Sequence, residues 1–242
     1  MASRMLAFDT SADVTAVAVL EADRVLVEDN AASPERHAET LLPRIEQCLE
    51  RVGFALSDID VFAVGVGPGS FTGVRVGVAT AKGLALATGK PLRGVVSLAA
   101  LAASALELNP QSELLVAPII DAYKGEVFAA LYAVSAQHTT LLAAPFHAAP
   151  EDAAAQLVLA AGGAELRVLG SGYRRYVERI SPLWDAGRVI ALDAQHDAPH
   201  ARHIAREARR LLGVEGASDV AKLAPLYVRG SDAKLPDAPL RL

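Results

Sequence analysis

The chain has 242 residues, 52% of them hydrophobic and 21% charged, enough apolar material for a buried core in one large or two small domains. Its formal net charge of −5 argues against a protein that holds nucleic acid unaided, because phosphate neutralisation supplies most of that affinity. The single cysteine, Cys48, excludes an internal disulfide framework; with no signal-peptide core after Met1 and no apolar run of about 18 residues, the chain is expected in the cytoplasm and not in a membrane.

Met5 to Asp9 reads as an apolar strand ending in an aspartate, followed by a polar turn and a second strand from Val14 to Leu20. A helix comes next. Ser33 is its expected N-cap and Pro34 its first residue, Ala38, Leu41, Leu42, Ile45, Cys48, Leu49 and Val52 form its apolar face, and Gly53 ends it. Pro43 predicts a kink near Thr40 to Leu42, Arg36 and His37 stand at the N-terminal end, and Cys48 is read as an inert packing residue.

Ile59 to Val64 reads as a buried strand that runs into Gly65-Val66-Gly67-Pro68-Gly69-Ser70-Phe71-Thr72-Gly73-Val74-Arg75-Val76-Gly77 and then a long apolar helix to Thr88. A strand, a glycine turn and a helix N-terminus together can receive an anion, since converging N–H groups and the helix dipole favour negative charge. No Lys-Ser/Thr pair follows Gly73, however, and the glycine spacing does not fit G-x-G-x-x-G. Phosphate binding and a close-packed turn therefore both stay open.

Val116 to Asp121 and Gly125 to Tyr132 repeat the plan of the first hairpin, again with an aspartate at the first strand's end. The repeat predicts a duplicated α/β unit with a ligand cleft between its halves, faced by Asp9 and Asp121 unless both merely cap turns. Gln137 to Leu166 is alanine-rich and carries no evident chemistry. Arg167 to Tyr176 is a strand, a Gly170-Ser171-Gly172 turn and a helix start, a second half-site for a nucleotide on weak grounds. His200 to Leu212 reads as a charged surface helix and Ala224 to Arg229 as extended chain. No histidine pair has metal-ligand spacing on a regular element, since Pro199 interrupts His196 and His200, and no G-x-S-x-G elbow exists.

The F-D-T-S hairpin, the E-R-H-A-E-T-L-L-P helix, the G-x-G-P-G-S-F-T-G-x-R-x-G loop, the I-D-A-x-x-G-E-V-F hairpin and the terminal P-L-Y-V-R together resemble the TsaB/YeaZ family. The resemblance is strongest from Met5 to Leu101. It implies the duplicated fold shared by actin, sugar kinases and heat-shock ATPases, with residues 1–102, completed by about 203–242, as one domain and 103–202 as a smaller second. It further implies a non-catalytic subunit that activates a TsaD-like threonylcarbamoyl transferase, together with a TsaE-like ATPase, and reaches tRNA only through that complex. The catalytic sister has a metal-binding His-x-x-x-His; the equivalent positions here are Ser97 and Leu101, so neither metal ligands nor catalytic residues are expected.

If the cleft keeps its ancestral use, Asp9, Gly67, Gly69, Ser70, Gly170 and Gly172 would bind ATP or ADP weakly; otherwise no cofactor is expected. The alternative is an ATP-dependent small-molecule kinase or a glycoprotease-type metallopeptidase, and the kinase is disfavoured because Asp9-Thr10-Ser11-Ala12-Asp13 has no glycine. Gly73, Gly77, Ala81 and Ala85 recur every four residues, a stripe of small side chains that admits a close neighbour. With His37, Leu41 and Ile45 of the amphipathic helix it is the expected interface for the sister subunit, or for a second copy when the sister is absent. Packing of the stripe within its own domain is the other reading.

Overall fold

The computed structural model describes residues 3–32, 37–107, 113–185 and 187–229. The first hairpin and its extension form β1 (Arg4–Asp9), β2 (Val14–Glu21) and β3 (Arg24–Ala32), an antiparallel meander, and β4 (Val61–Gly65) and β5 (Leu92–Val95) add parallel to β1. The sheet order is β3-β2-β1-β4-β5. The second hairpin repeats this: β6 (Leu114–Asp121), β7 (Val127–Val134) and β8 (Thr139–Ala148) form a meander, β9 (Leu166–Leu169) and β10 (Val189–Ala191) lie parallel, and the order is β8-β7-β6-β9-β10. The chain thus adopts the expected duplicated α/β architecture, with two five-stranded mixed sheets built on one plan.

Strand β1 is apolar from Met5 to Phe8 because both faces of its sheet are covered. Leu6 and Phe8 point into a core shared with α1 (His37–Val52) and α2 (Phe71–Thr88), while Met5 and Ala7 point into one shared with α7 (Ala201–Glu215). The second sheet is covered on one face by α4 (Pro150–Ala161). On its other face lies α3 (Ser97–Ala103), whose Leu98 and Leu101 join that core while Ala100 joins the first sheet's, so α3 is the wedge between the halves. Two short helices, α5 (Ser171–Arg175) and α6 (Val177–Ile180), follow β9.

Helix α1 buries Leu41, Ile45, Cys48 and Leu49 as its periodicity predicts, runs on through Pro43, and ends at Gly53 with φ of +70°. Ser33, Pro34 and Arg36, the expected start of the helix, lie outside the described residues. Leu42, expected on the apolar face, is instead 49% exposed. Cys48 is buried, and burial pushes its thiol up to about 11, as suits a packing residue.

The surface reading of α7 is corrected: Ala201, Ile204, Ala205 and Ala208 are buried against the first sheet. Its arginines form the rim of that contact. Arg202 pairs with Glu28 at 2.6 Å and Glu107 at 2.9 Å, and Arg209 with Asp23 at 2.7 Å. Beyond α7 the chain runs extended beside β5, held by Ser218 N–H to the Leu92 carbonyl (2.8 Å) and Leu226 N–H to the Val66 carbonyl (2.7 Å). Arg229 then reaches the second half, donating to the Ala122 carbonyl at 3.0 Å and pairing with Glu126. Among the described residues no helix is long and apolar enough to cross a membrane.

Candidate functional site

Asp9, at the end of β1, is 1% exposed and fully engaged. Its Oδ1 accepts from Ser11 N–H (2.7 Å) and Ser11 Oγ (2.6 Å), and its Oδ2 accepts from Ser97 Oγ (2.6 Å). Ser97 Oγ in turn accepts from Gly67 N–H at 3.1 Å. One carboxylate therefore ties together the first hairpin turn, the glycine loop and the start of α3. Burial pushes the Asp9 carboxyl above its ordinary range, with the Ser11 and Ser97 hydrogen bonds and the nearby His37 opposing the shift.

The glycines explain how the loop closes around that turn. A Cβ on Gly65 would lie 1.6 Å from Asp9 Oδ2, on Gly69 2.1 Å from the Ser11 carbonyl oxygen, on Gly73 2.0 Å from the Thr10 carbonyl oxygen and on Gly77 2.5 Å from Thr10 Oγ1. Ser70 N–H donates to the Ser11 carbonyl at 2.7 Å, and Thr10 Oγ donates to the Gly73 carbonyl at 2.7 Å. Ser70 also caps α2 by accepting from Gly73 N–H at 3.2 Å. Residues 9–11 fill the groove, and the loop is packed closely against the first hairpin turn.

The same geometry corrects the expected exposure of the small-residue stripe. Gly73, Gly77, Ala81 and Ala85 are buried, and so are His37, Leu41 and Ile45. Small side chains at every fourth position bring α2 down onto Thr10 and Val64 of its own domain. What the two helices leave exposed is a different set: Ala38, Leu42 and Glu46 on α1, and Thr72, Ala79 and Leu86 on α2.

The second half mirrors this arrangement. Gly170, at φ of +107°, would place a Cβ 2.3 Å from the Ile119 carbonyl oxygen, and Gly172 one 2.5 Å from the Ile120 carbonyl carbon. Ser171 Oγ accepts from Asp121 N–H at 3.2 Å, while the Asp121 carboxylate is held by Arg175 at 2.8 Å. Asp9 is enclosed and Asp121 is paired, so neither stands as a free carboxylate on the cleft.

A cleft of about 770 Å³ does lie between the halves, but elsewhere. Phe71 and Arg75 of α2 form one wall, Tyr123, Lys124 and Phe128 of the second hairpin the other, and Tyr227 with Arg229 its side. Gly69 and Ser70 line it; Asp9, Gly67, Gly170 and Gly172 do not. The six residues expected to bind nucleotide are therefore not gathered in one place. Phe71 and Arg75 were present in the loop motif, but their meeting with Tyr227 is made only by the return of the C-terminal segment.

Three histidines, His37, His196 and His203, are buried rather than poised as ligands: His37 shares a hydrogen bond with Thr15 Oγ1 at 2.8 Å, His196 shares one with Ser104 Oγ at 2.9 Å, and His203 faces Glu107 at 3.3 Å. Glu107 is held well below the usual carboxylate range, chiefly by His203 and then by Arg202, against its own burial. Burial lowers His37, His200 and His203 below the ordinary imidazole value. As pH falls below about 6.5, the unfolded chain takes up protons that the folded chain refuses, so these three sites lose their contribution to stability on the acid side. Urea unfolding, followed by fluorescence of the sole tryptophan, Trp184, is expected to show a lower midpoint at about pH 5.5 than at about pH 7.5. A flat profile would contradict the assignment.

Ser97 and Leu101, the positions that the resemblance sets against a metal-binding histidine pair, are both engaged in the fold. Ser97 is a hydroxyl bonded on both sides, and Leu101 is fully buried in the apolar core between the halves. Among the described residues no group of three or more His, Cys, Asp and Glu could hold a metal ion.

Residues 30–225 match the family model described as TsaD: tRNA N6-adenosine threonylcarbamoyltransferase. The tRNA threonylcarbamoyladenosine biosynthesis protein TsaB of Escherichia coli is 40% identical over 129 residues, 53% of this chain and 54% of that protein. TsaB of Bacillus subtilis is 36% identical over 128 residues, with the same shares covered. The chain thus spans about half the length of the curated relatives it matches. The solved structure of YeaZ from Pseudomonas aeruginosa superimposes with a TM-score of 0.79 at 32% identity, covering 93% of this chain and 99% of that one. A family match across 30–225 and a solved relative aligned over nearly its whole length place the chain in the TsaB/YeaZ family of tRNA threonylcarbamoyladenosine biosynthesis proteins.

Proposed function

We propose that this chain is a non-catalytic subunit that binds and activates a TsaD-like transferase, which places the threonylcarbamoyl group on the adenosine beside the tRNA anticodon. The observation that carries this reading is the closed cluster of Asp9, Ser97 and Gly67 N–H, with Leu101 in the core behind it. The residues that would hold the sister's metal are here spent on folding. What remains for function is surface, offered to the sister and to a TsaE-like ATPase in a cytoplasmic complex through which tRNA is reached.

The contact surface for the sister is the outer face of α1 and α2, where Leu42 is 49% and Leu86 74% exposed. The same face pairs two copies of this chain when the sister is absent. Leu42→Glu combined with Leu86→Glu leaves the core untouched but forces two carboxylates into the contact, and is expected to weaken sister capture and self-association about tenfold or more. Unfolding reported by circular dichroism would remove the exposed positions from consideration, and undiminished capture would exclude this face. The activity itself is tested by reconstitution: the transferase with this chain is expected to modify tRNA well above its rate alone, and this chain alone not at all. Transfer by this chain without a sister would overturn the proposal.

A further inference from the structure

Aromatic residues make up only 5% of this chain. Yet the three most exposed aromatic side chains among the described residues, Phe71 (52%), Tyr123 (45%) and Tyr227 (50%), all line the cleft between the halves. Exposed rings cost hydration free energy, so three on one cleft is an arrangement with a use. Cations stand among them. The Arg75 guanidinium carbon lies 3.5 Å from the Phe71 ring centre, and its Nε donates to the Tyr227 hydroxyl at 2.7 Å.

That contact orders Arg75 while leaving its two terminal nitrogens uncommitted, and among the described residues it has no carboxylate partner. A guanidinium fixed by an aromatic face, with a free fork of N–H donors, suits a phosphate oxygen pair. Lys124 adds a second cation on the opposite wall. Among the described residues, Asp13 accepts from the Tyr123 hydroxyl at 2.6 Å, and Glu126 is paired with Arg229.

We infer that this cleft binds a nucleoside phosphate unit of single-stranded RNA, its base against Phe71, Tyr227 or Tyr123 and its phosphate on Arg75. Stacking on aromatic faces with a cation tracking the backbone is how unpaired RNA is held. The choice of RNA over a free nucleotide rests on the proposed role in tRNA modification, and it makes this chain a direct contributor to tRNA binding. The overall acidic charge is consistent with a weak local contact that adds to a partner's larger one.

The test titrates a short fluorescent single-stranded oligoribonucleotide with the full chain, followed by anisotropy, and repeats it with the chain bound to its sister. Binding should weaken as salt rises, and Arg75→Ala and Tyr123→Leu should each weaken it about tenfold. Photocrosslinks should map to Phe71, Tyr123 or Tyr227. Unlabelled AMP should displace the RNA only at far higher concentration; displacement at equal concentration would assign the cleft to free nucleotide and overturn the RNA reading. Absence of RNA binding, or variants that bind RNA like the wild type, would overturn the site. Capture of the sister is measured on every variant. If wild-type capture succeeds while RNA binding fails, this inference falls alone; if wild-type capture fails, the accessory-subunit reading falls first.

Discussion

Gly73→Ala is expected to destabilise the fold by about 3 kcal/mol or more, because the new methyl group lands on backbone that has no room to yield. Its Cβ would lie 2.0 Å from the Thr10 carbonyl oxygen and 3.1 Å from the buried His37 ring. Relief requires α2 to lift from the sheet, which would loosen Val74, Val78 and Ala81 together. At roughly 2–4 °C per kcal/mol for a chain of this size, the melting temperature should fall by roughly 6–12 °C. Gly83, ten residues along the same helix, is the internal control. It is exposed and a Cβ there meets nothing within 4 Å, so Gly83→Ala should raise stability by about 0.5–1 kcal/mol through helix propensity. A Gly73→Ala protein that melts within a degree of the wild type would show that the loop's closeness is not required.

Asp9→Ala is expected to be as damaging, and Asp9→Asn much less so. Alanine strands the Ser11 amide, the Ser11 hydroxyl and the Ser97 hydroxyl in a buried space, a loss of roughly 3 kcal/mol. Asparagine keeps an acceptor for Ser11 and turns an amide toward Ser97, without a charge to bury. The two carry a distinct pH signature. Because burial raises the folded carboxyl above 3.8, the unfolded chain ionises first as pH rises, and the Asp9 contribution is complete below 3.8 and lost through the raised folded value. Asp9→Asn lacks this term, so its stability relative to the wild type should increase with pH, and its loss of stability toward acid, driven by the buried histidines, should be steeper. Urea unfolding across that range decides it. A wild-type to Asn difference that does not change with pH would mean Asp9 is ionised at no cost in the folded chain. Its role would then be that of an ordinary turn carboxylate.

The duplication was readable in the residues themselves. Met5 to Asp9 and Val116 to Asp121 are apolar runs closed by an aspartate, each followed by a second apolar strand, and strand alternation with a turn-forming acid is a local property of a chain. The apolar face of α1 and the strand-loop-helix around Gly65 to Gly77 were readable for the same reason. Periodicity says which side chains share a face, but not what covers it. That is why Gly73, Gly77 and Ala81 suggested an interface, whereas Gly73 and Gly77 seat α2 on Thr10 and Ala81 lies in the core, and why the arginine-rich α7 proved to be half core. Asp9 likewise displayed a carboxylate at a strand end, while its enclosure depended on Ser97, 88 residues away in sequence. The cleft of Phe71, Arg75, Tyr123 and Tyr227 was beyond reach altogether, since Arg75 and Tyr227 lie 152 residues apart. Local propensity acts over a few residues, whereas a site is assembled by sheet order and by the path of the C-terminal segment, which only the packed structure decides.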